Sequence, residues 1–149
     1  MELSKTQTAI LGVVATAIII STVVLLVYSY SIHTTGIVTS LEIKVYQDST
    51  LKIELTSIDW GNIRAGESKA VTCYIKNIKN TPLTLSLATG QYLPSQSQQY
   101  LTTSWNYING TILNENQVVQ VTIQLDVKTS IFNVSNFEYD IIITGTEKI

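Results

Sequence analysis

The feature that most constrains this chain is an apolar stretch near its start, Ala9 to Tyr30. No residue from Thr6 to Leu41 carries a full charge. A helix needs about 20 apolar residues to cross a bilayer core, whereas the apolar part of a cleaved signal peptide has about 7–15. The length therefore predicts a short polar N-terminus, residues 1–8, and then a retained hydrophobic α-helix, residues 9–31, in a membrane or a filament core. A cleaved signal peptide is the second interpretation.

Small residues recur at intervals of four in and beside this stretch. They are Thr8, Gly12 and Thr16, and then Ala17 and Ser21. Small side chains at this interval let two helices approach closely. The pattern predicts packing against the same helix in other copies of the chain. The alternative is that these small residues have no role in packing, because membrane anchors commonly contain small residues.

Lys5 indicates how the chain is oriented across the membrane. Lysine and arginine before an apolar segment favour the cytoplasmic side, so Lys5 predicts that the N-terminus lies inside and the rest of the chain outside. Asn109-Gly110-Thr111 and Asn133-Val134-Ser135 are acceptor sequences for N-glycosylation, which fits an external location. Asn109 and Asn133 are therefore glycan candidates.

Residues 32–36 are a predicted linker, and the remainder, 37–149, forms one predicted domain. In it apolar residues alternate with polar ones, as in strands with one buried face. The clearest alternations are Leu41–Val45, Leu51–Leu55, Val71–Ile75, Leu83–Leu87, Leu101–Tyr107, Val119–Val127 and Phe137–Ile143. About seven strands without an intervening helix pattern predict an Ig-like antiparallel β-sandwich. Asn109-Gly110 is the strongest hairpin signal, and Trp60, Trp105 and Phe137 are predicted core residues.

Composition and motifs argue against several functions. The formal net charge of -2 offers no basic surface for nucleic acid. His33 is the only histidine and Cys73 the only cysteine, so neither a Ser-His-Asp triad in the domain nor a zinc site of ordinary spacing is expected. No glycine-rich phosphate loop is present. We therefore expect a protein without a catalytic site, metal or cofactor.

The segment from Ile58 to Asn80 resembles immunoglobulin-like domains of the ASPM–SPD-2–Hydin type. The resemblance lies in a turn from Trp60 to Ser68 that contains Gly61 and Gly66, followed by the Asn77 strand end and the Asn80-Thr81-Pro82 turn. It implies a β-sandwich and no particular activity. Glycines permit positive φ in a tight corner, so Trp60, Gly61 and Gly66 are predicted to form a corner that closes one end of the sandwich.

The overall layout is similar to that of archaeal type IV pilins and archaellins, which have a short polar N-terminus, an apolar helix and a Ser/Thr-rich headpiece. This resemblance implies a filament with helices in its core and sandwiches outside. A third resemblance is to surface fibre subunits of the camelysin/TasA kind, which lend a strand to a neighbour. It requires cleavage near Ser29 to Ser31 and implies that Ile37 to Tyr46 is the lent strand.

Three functions remain open from the sequence. The first is a self-assembling cell-surface subunit, membrane-associated through residues 9–30 before assembly. The second is a solitary membrane-anchored Ig-like binding module. The third is the cleaved strand-lending subunit.

Overall fold

The computed structural model describes residues 31–32, 37–39 and 42–148. These residues form ten β-strands and one 3-10 helix, Ser95–Gln99, which connects the sixth strand to the seventh. The strands are β1 (Ser31–Ile32), β2 (Ile37–Thr39), β3 (Ile43–Tyr46), β4 (Gly61–Asn62), β5 (Ser68–Asn77), β6 (Leu83–Leu93), β7 (Leu101–Trp105), β8 (Ile112–Leu113), β9 (Val118–Val127) and β10 (Glu138–Glu147).

Two four-stranded sheets face each other as a β-sandwich. The first sheet has the order β2-β10-β6-β8 and the second the order β3-β5-β9-β7. Strands β1 and β4 form a separate two-stranded pair. Strand β2 runs parallel to β10, and the other pairs are antiparallel. This arrangement is consistent with an Ig-like sandwich.

The predicted fold class, a hydrophobic helix followed by about seven antiparallel strands, is wrong. Within the described residues there is no α-helix, and no helix there could cross a membrane. Ser31, assigned by the prediction to the helix, pairs with Asn62 as part of β1. The sandwich also contains the parallel pair β2–β10, which no short hairpin can form. Residues 9–30, on which the helix prediction depended, lie outside the described residues.

The alternating apolar residues form the core between the two sheets. In β9, residues 121, 123, 125 and 127 are buried while their neighbours face solvent, because successive side chains of a strand point to opposite faces. Trp60 and Phe137 are buried and Trp105 is half-buried against the same cluster. Cys73 is fully buried, and burial raises the pKa of its thiol to about 12.

Asn77 holds two connections together at one end of the sandwich. Its buried side-chain amide donates to the carbonyls of Thr81, Leu113 and Asn114 at 2.8–3.1 Å. Its side-chain oxygen accepts from the backbone N–H of Lys79 at 2.8 Å. One side chain therefore fixes the β5–β6 turn to the β8–β9 turn, which explains an asparagine at a buried strand end.

The Asn109-Gly110 turn does not form the predicted hairpin. Gly110 does adopt a positive φ of 84°, and the Thr111 N–H donates to the Ile108 carbonyl at 3.1 Å. However, the flanking strands do not pair with each other, because β7 joins β9 and β8 joins β6. The turn carries the chain from one sheet to the other, and this crossing determines which strand edges remain open.

Candidate interaction site at two open strand edges

The first open edge belongs to β6. This strand extends from Leu83 to Leu93, yet β8 pairs only with Leu83 and Thr84. Strand β10 covers the opposite edge along nearly the whole length. Within the described residues, most of β6 therefore has a neighbouring strand on one side only.

Hydrogen-bond register shows which groups of β6 face the open side. The Lys148 N–H donates to the Pro82 carbonyl at 3.2 Å. In an antiparallel pair of strands every second residue forms hydrogen bonds with the neighbouring strand. The backbone groups of the even-numbered residues at the start of β6 therefore bond to β10. The backbone groups of Leu87 and Thr89 then point away from β10. They have no backbone partner among the described residues.

Tyr107 lies beside β6 at the point where pairing with β8 ends. Its hydroxyl donates to the Thr111 carbonyl at 2.5 Å. Burial raises the pKa of this hydroxyl, and an interaction with the Leu85 backbone N–H partly offsets the rise. The tyrosine thus satisfies one backbone group beyond β8 and leaves the edge open from Leu87 onward.

The second open edge belongs to β7. The Lys128 N–H donates to the Tyr100 carbonyl at 2.9 Å, and the Asn106 N–H donates to the Thr122 carbonyl at 3.2 Å. Even-numbered residues of β7 therefore bond to β9. The backbone groups of Thr103 and Trp105 point the other way, where the described chain supplies no strand.

The two open edges lie on the same side of the sandwich with a groove between them. The groove has a volume of about 480 Å³. The inward-facing side chains of both strands line it together with the 106–109 loop: Leu85, Leu87, Thr103, Trp105 and Tyr107, with Ser86, Ser104 and Asn109 at the rim. The Trp105 and Tyr107 rings lie 5.3 Å apart. The groove thus combines apolar and aromatic surface with unpaired backbone groups.

Neither edge carries a charge. No residue from Asn80 to Asn114 is charged, and this range includes β6, β7 and β8 entirely. Natural proteins usually protect exposed edge strands with charged side chains, proline or bulges, because unpaired N–H and C=O groups recruit other strands. The first part of β6 and all of β7 lack such protection.

The opposite edge of the second sheet provides a contrast within the same molecule. There the edge strand β3 carries Lys44, which forms an ion pair with Glu54. Glu54 belongs to the segment that bridges to Tyr46. Lys79 pairs with Glu42 and Glu147 at one end of the sandwich. Charge is therefore placed along β3 and absent along β7.

The sequence-predicted site residues are distributed over several places. Asn109 is exposed at the groove rim, and Asn133 is exposed on the 128–137 loop, where its carbonyl accepts from the Gln96 amide at 3.1 Å. Trp60 is 2% exposed, and its carbonyl accepts from the Lys69 ammonium at 2.5 Å. The helix-packing candidates Thr8, Gly12, Thr16, Ala17 and Ser21 lie outside the described residues.

Both corner glycines adopt backbone conformations that L-residues rarely take. Gly61 has a φ of 58° and Gly66 a φ of 81°. A Cβ on Gly66 would lie 3.0 Å from the Thr129 methyl group. The Gly66 N–H donates to the Val127 carbonyl at 3.0 Å, so the corner packs against the end of β9.

The described residues offer little that could bind a metal or act as a nucleophile. Among them no group of three His, Cys, Asp or Glu side chains comes together. The Cys73 thiol is inside the core, and its raised pKa keeps it protonated. The Asp126 carboxylate accepts from the Ser68 hydroxyl across β5 and β9, and this bond lowers the pKa of Asp126.

No family model matches this chain, and a search of curated proteins finds no match either.

Sequence reasoning missed the groove, although one signal for it was present. The uncharged range Asn80 to Asn114 is visible in the sequence. Alternation of apolar residues, however, shows which face of a strand is buried and does not show which strand lies beside it. The open edges depend on that second property.

Proposed function

We propose that this protein is a non-enzymatic structural protein of the cell surface that assembles with copies of itself through strand pairing. The observation that carries the proposal is the pair of adjoining, uncharged edges on β6 and β7, which have stretches that no strand of the described residues covers. Such edges recruit further strands, and addition of a strand to an exposed edge is a common mode of protein recognition.

The distribution of charge supports association at this side of the sandwich. The β3 edge carries the Lys44–Glu54 ion pair, which disfavours pairing with another strand because its charges would lose water. The β7 edge carries only Leu, Thr, Ser and Trp side chains. The β3 edge is thus suited to solvent and the β7 edge to a partner strand.

The surface location is supported by the positions of the two glycosylation sequences. Asn109 and Asn133 are both exposed on loops, where a glycan can be attached without disturbing the core. A non-enzymatic role is supported by the scattered acids and the buried thiol among the described residues. The pilin-like layout stays a prediction, since the segment it depends on is outside the described residues.

The proposal is tested with the full-length chain and two lysine variants. Ser104→Lys places a charge on the exposed face of the edge strand β7, and Gln120→Lys places one on the exposed face of the central strand β9. Sedimentation velocity and electron microscopy measure assembly against concentration. We expect Ser104→Lys to raise the concentration needed for assembly about tenfold, equivalent to about 1.4 kcal/mol, and Gln120→Lys to leave it unchanged.

Two results would contradict the proposal. One is a wild-type chain that stays monomeric at every concentration, which would favour the solitary binding module. The other is an equal effect of both lysine variants, which would show that the β7 edge has no special role. Far-UV circular dichroism of both variants checks that the sandwich is intact.

A further inference from the structure

We infer that the β7 edge pairs with the β7 edge of a second copy of this chain, antiparallel and about a two-fold axis at Thr103. The inference rests on the proposed function and specifies how the partner is arranged at the same site. Thr103 would pair with Thr103 of the second copy. Leu101 of each copy would pair with Trp105 of the other.

The hydrogen-bond register of β7 makes this edge complementary to itself. Leu101, Thr103 and Trp105 direct their N–H and C=O groups away from β9, because the even-numbered residues of β7 bond to β9. These three positions are evenly spaced about Thr103. An antiparallel copy centred there forms three hydrogen-bonded pairs, and each such pair exchanges two N–H···O bonds. Every outward backbone group of β7 is then satisfied.

The β6 edge is a poorer partner for β7 than a second β7 is. Its regular open stretch comprises Leu87 and Thr89, because the Leu85 N–H already interacts with the Tyr107 hydroxyl. Beyond that stretch, Gln91 has a positive φ of 54°, which distorts the edge. Pairing of β7 with β6 would therefore use two positions and leave one outward residue of β7 without backbone bonds.

The opposite side of the sandwich favours a symmetric pair over a head-to-tail array. There the segment 53–56 lies against both edge strands, because the Ile37 N–H of β2 donates to the Thr56 carbonyl and the Leu55 N–H donates to the Val45 carbonyl of β3, each at 2.8 Å. Among the described residues the β6 and β7 side has no such covering segment. A head-to-tail contact needs two different complementary patches, whereas a two-fold contact uses one patch twice.

The two-fold axis also determines what happens to the groove. An axis that relates two antiparallel strands of one sheet runs perpendicular to that sheet, so the inward faces of both copies stay on the same side. The β6 edges of the two copies then face each other, and the two grooves join. Trp105, which is half-buried in a single copy, would lie opposite Leu101 of the second copy. Pairing would therefore remove apolar surface from water, which favours association.

The experiment is a disulfide test of the register on the outer face of β7. Thr102 and Ser104 are exposed there, and the proposed axis places Thr102 of one copy directly opposite Ser104 of the other. This is a non-hydrogen-bonded pair, with Cα atoms about 4.5 Å apart. Like residues lie on the diagonal, about 7–8 Å apart, beyond the reach of a disulfide at about 7 Å.

Full-length Thr102→Cys and Ser104→Cys chains with different tags are mixed in equal amounts, and the buried native Cys73 is retained. The mixture is oxidised mildly at a concentration where the wild type assembles, and dimers are quantified on gels. We expect disulfides between the two kinds of chain to be at least tenfold more abundant than disulfides within either kind.

Two further variants serve as controls. Gln120→Cys is on the exposed face of the central strand β9 and should give background cross-linking with both β7 variants. Ala88→Cys is on the exposed face of β6 beside its open edge, so it tests pairing of β7 with β6. It should give background cross-linking with Ser104→Cys.

The outcomes separate this inference from the proposed function, because sedimentation before oxidation shows whether the chains assemble. If they assemble and the disulfide between Thr102→Cys and Ser104→Cys is not favoured, the two-fold arrangement is overturned while self-assembly stands. Disulfides mainly within either kind of chain would show a shifted register and would overturn it. Cross-linking of Ser104→Cys to Ala88→Cys would show pairing of β7 with β6, with the same consequence. A chain that never assembles would overturn the proposed function together with this inference.

Discussion

The Thr103 hydroxyl donates a hydrogen bond of 2.9 Å to the Tyr139 hydroxyl. This bond joins the edge strand β7 to the central strand β10 of the opposite sheet. The Tyr139 ring is buried and stacks on Tyr92, with ring centroids 5.2 Å apart and planes within 6°. Burial raises the pKa of Tyr139 to about 12, and the bond from Thr103 opposes that rise. The contact therefore links Thr103, a residue that lines the groove, to the opposite sheet.

Tyr139→Phe should lower the free energy of unfolding by about 0.5–1.5 kcal/mol, because it removes the acceptor and keeps the ring. Urea denaturation measures the change. Thr103→Val is the matched variant on the other side of the bond. The double variant should lose less than the sum of the two single losses, since both remove one interaction. Strictly additive losses would mean that the bond contributes nothing to stability.

Trp60→Ala should lower the free energy of unfolding by about 3–5 kcal/mol, because the side chain is 2% exposed and its removal leaves a cavity. Equilibrium denaturation monitored by circular dichroism measures the loss. Trp105→Ala is the control, and its half-buried side chain should cost less. A loss below about 1 kcal/mol for Trp60→Ala would mean that the corner is not part of the core.

Cys73 should make stability fall as the pH rises above about 9. Its pKa is raised to about 12 in the folded protein from an ordinary value of 9.0. The folded state therefore keeps a proton that the unfolded state releases, and the stability contribution present below pH 9 is lost progressively up to pH 12. The slope approaches about 1.4 kcal/mol per pH unit.

The measurement for Cys73 is the difference in free energy of unfolding between the wild type and Cys73→Ala at pH 8 to 11. This difference isolates the thiol from the tyrosines and lysines that titrate in the same range. A difference that does not change with pH would contradict the raised pKa.

A glycan on Asn109 should weaken assembly, whereas one on Asn133 should not. Asn109 lies at the rim of the groove, so an attached sugar would obstruct an incoming strand. Asn133 lies on the 128–137 loop and is not among the groove residues. Assembly of glycosylated chains carrying Asn109→Gln or Asn133→Gln can be compared by sedimentation. Equal assembly of the two variants would contradict this account of the groove.

The sequence predicted the strands best where alternation is long and uninterrupted. Val119–Val127 was predicted and Val118–Val127 is observed. Leu51–Leu55 was predicted as a strand, yet only a bridge between Tyr46 and Glu54 forms. Leu51 adopts a positive φ of 58°, and the Asp48 carboxylate accepts from the backbone N–H groups of Thr50 and Ile53. A local turn held by one carboxylate therefore replaced the strand.

The choice of sheet for each strand was beyond sequence reasoning. Asn109-Gly110 predicts a turn, and the turn is present. The strands on either side of it, however, belong to different sheets. Local propensity sets φ at Gly110, whereas packing of Tyr107 and Leu113 into the core decides where the flanking segments go. The candidate site arises from that packing, so only its lack of charge could be predicted from the sequence.

Amide hydrogen exchange at Leu87 and Thr89 tests the central claim most directly. These amides face the open side of β6 and should exchange fast in the dispersed full-length chain, because no strand among the described residues pairs with them. In the assembled chain we predict protection of both by at least about 100-fold, with the Ala88 amide, already bonded toward β10, little changed. Equal exchange at Leu87 and Thr89 in the dispersed and assembled chain would contradict strand pairing at this edge.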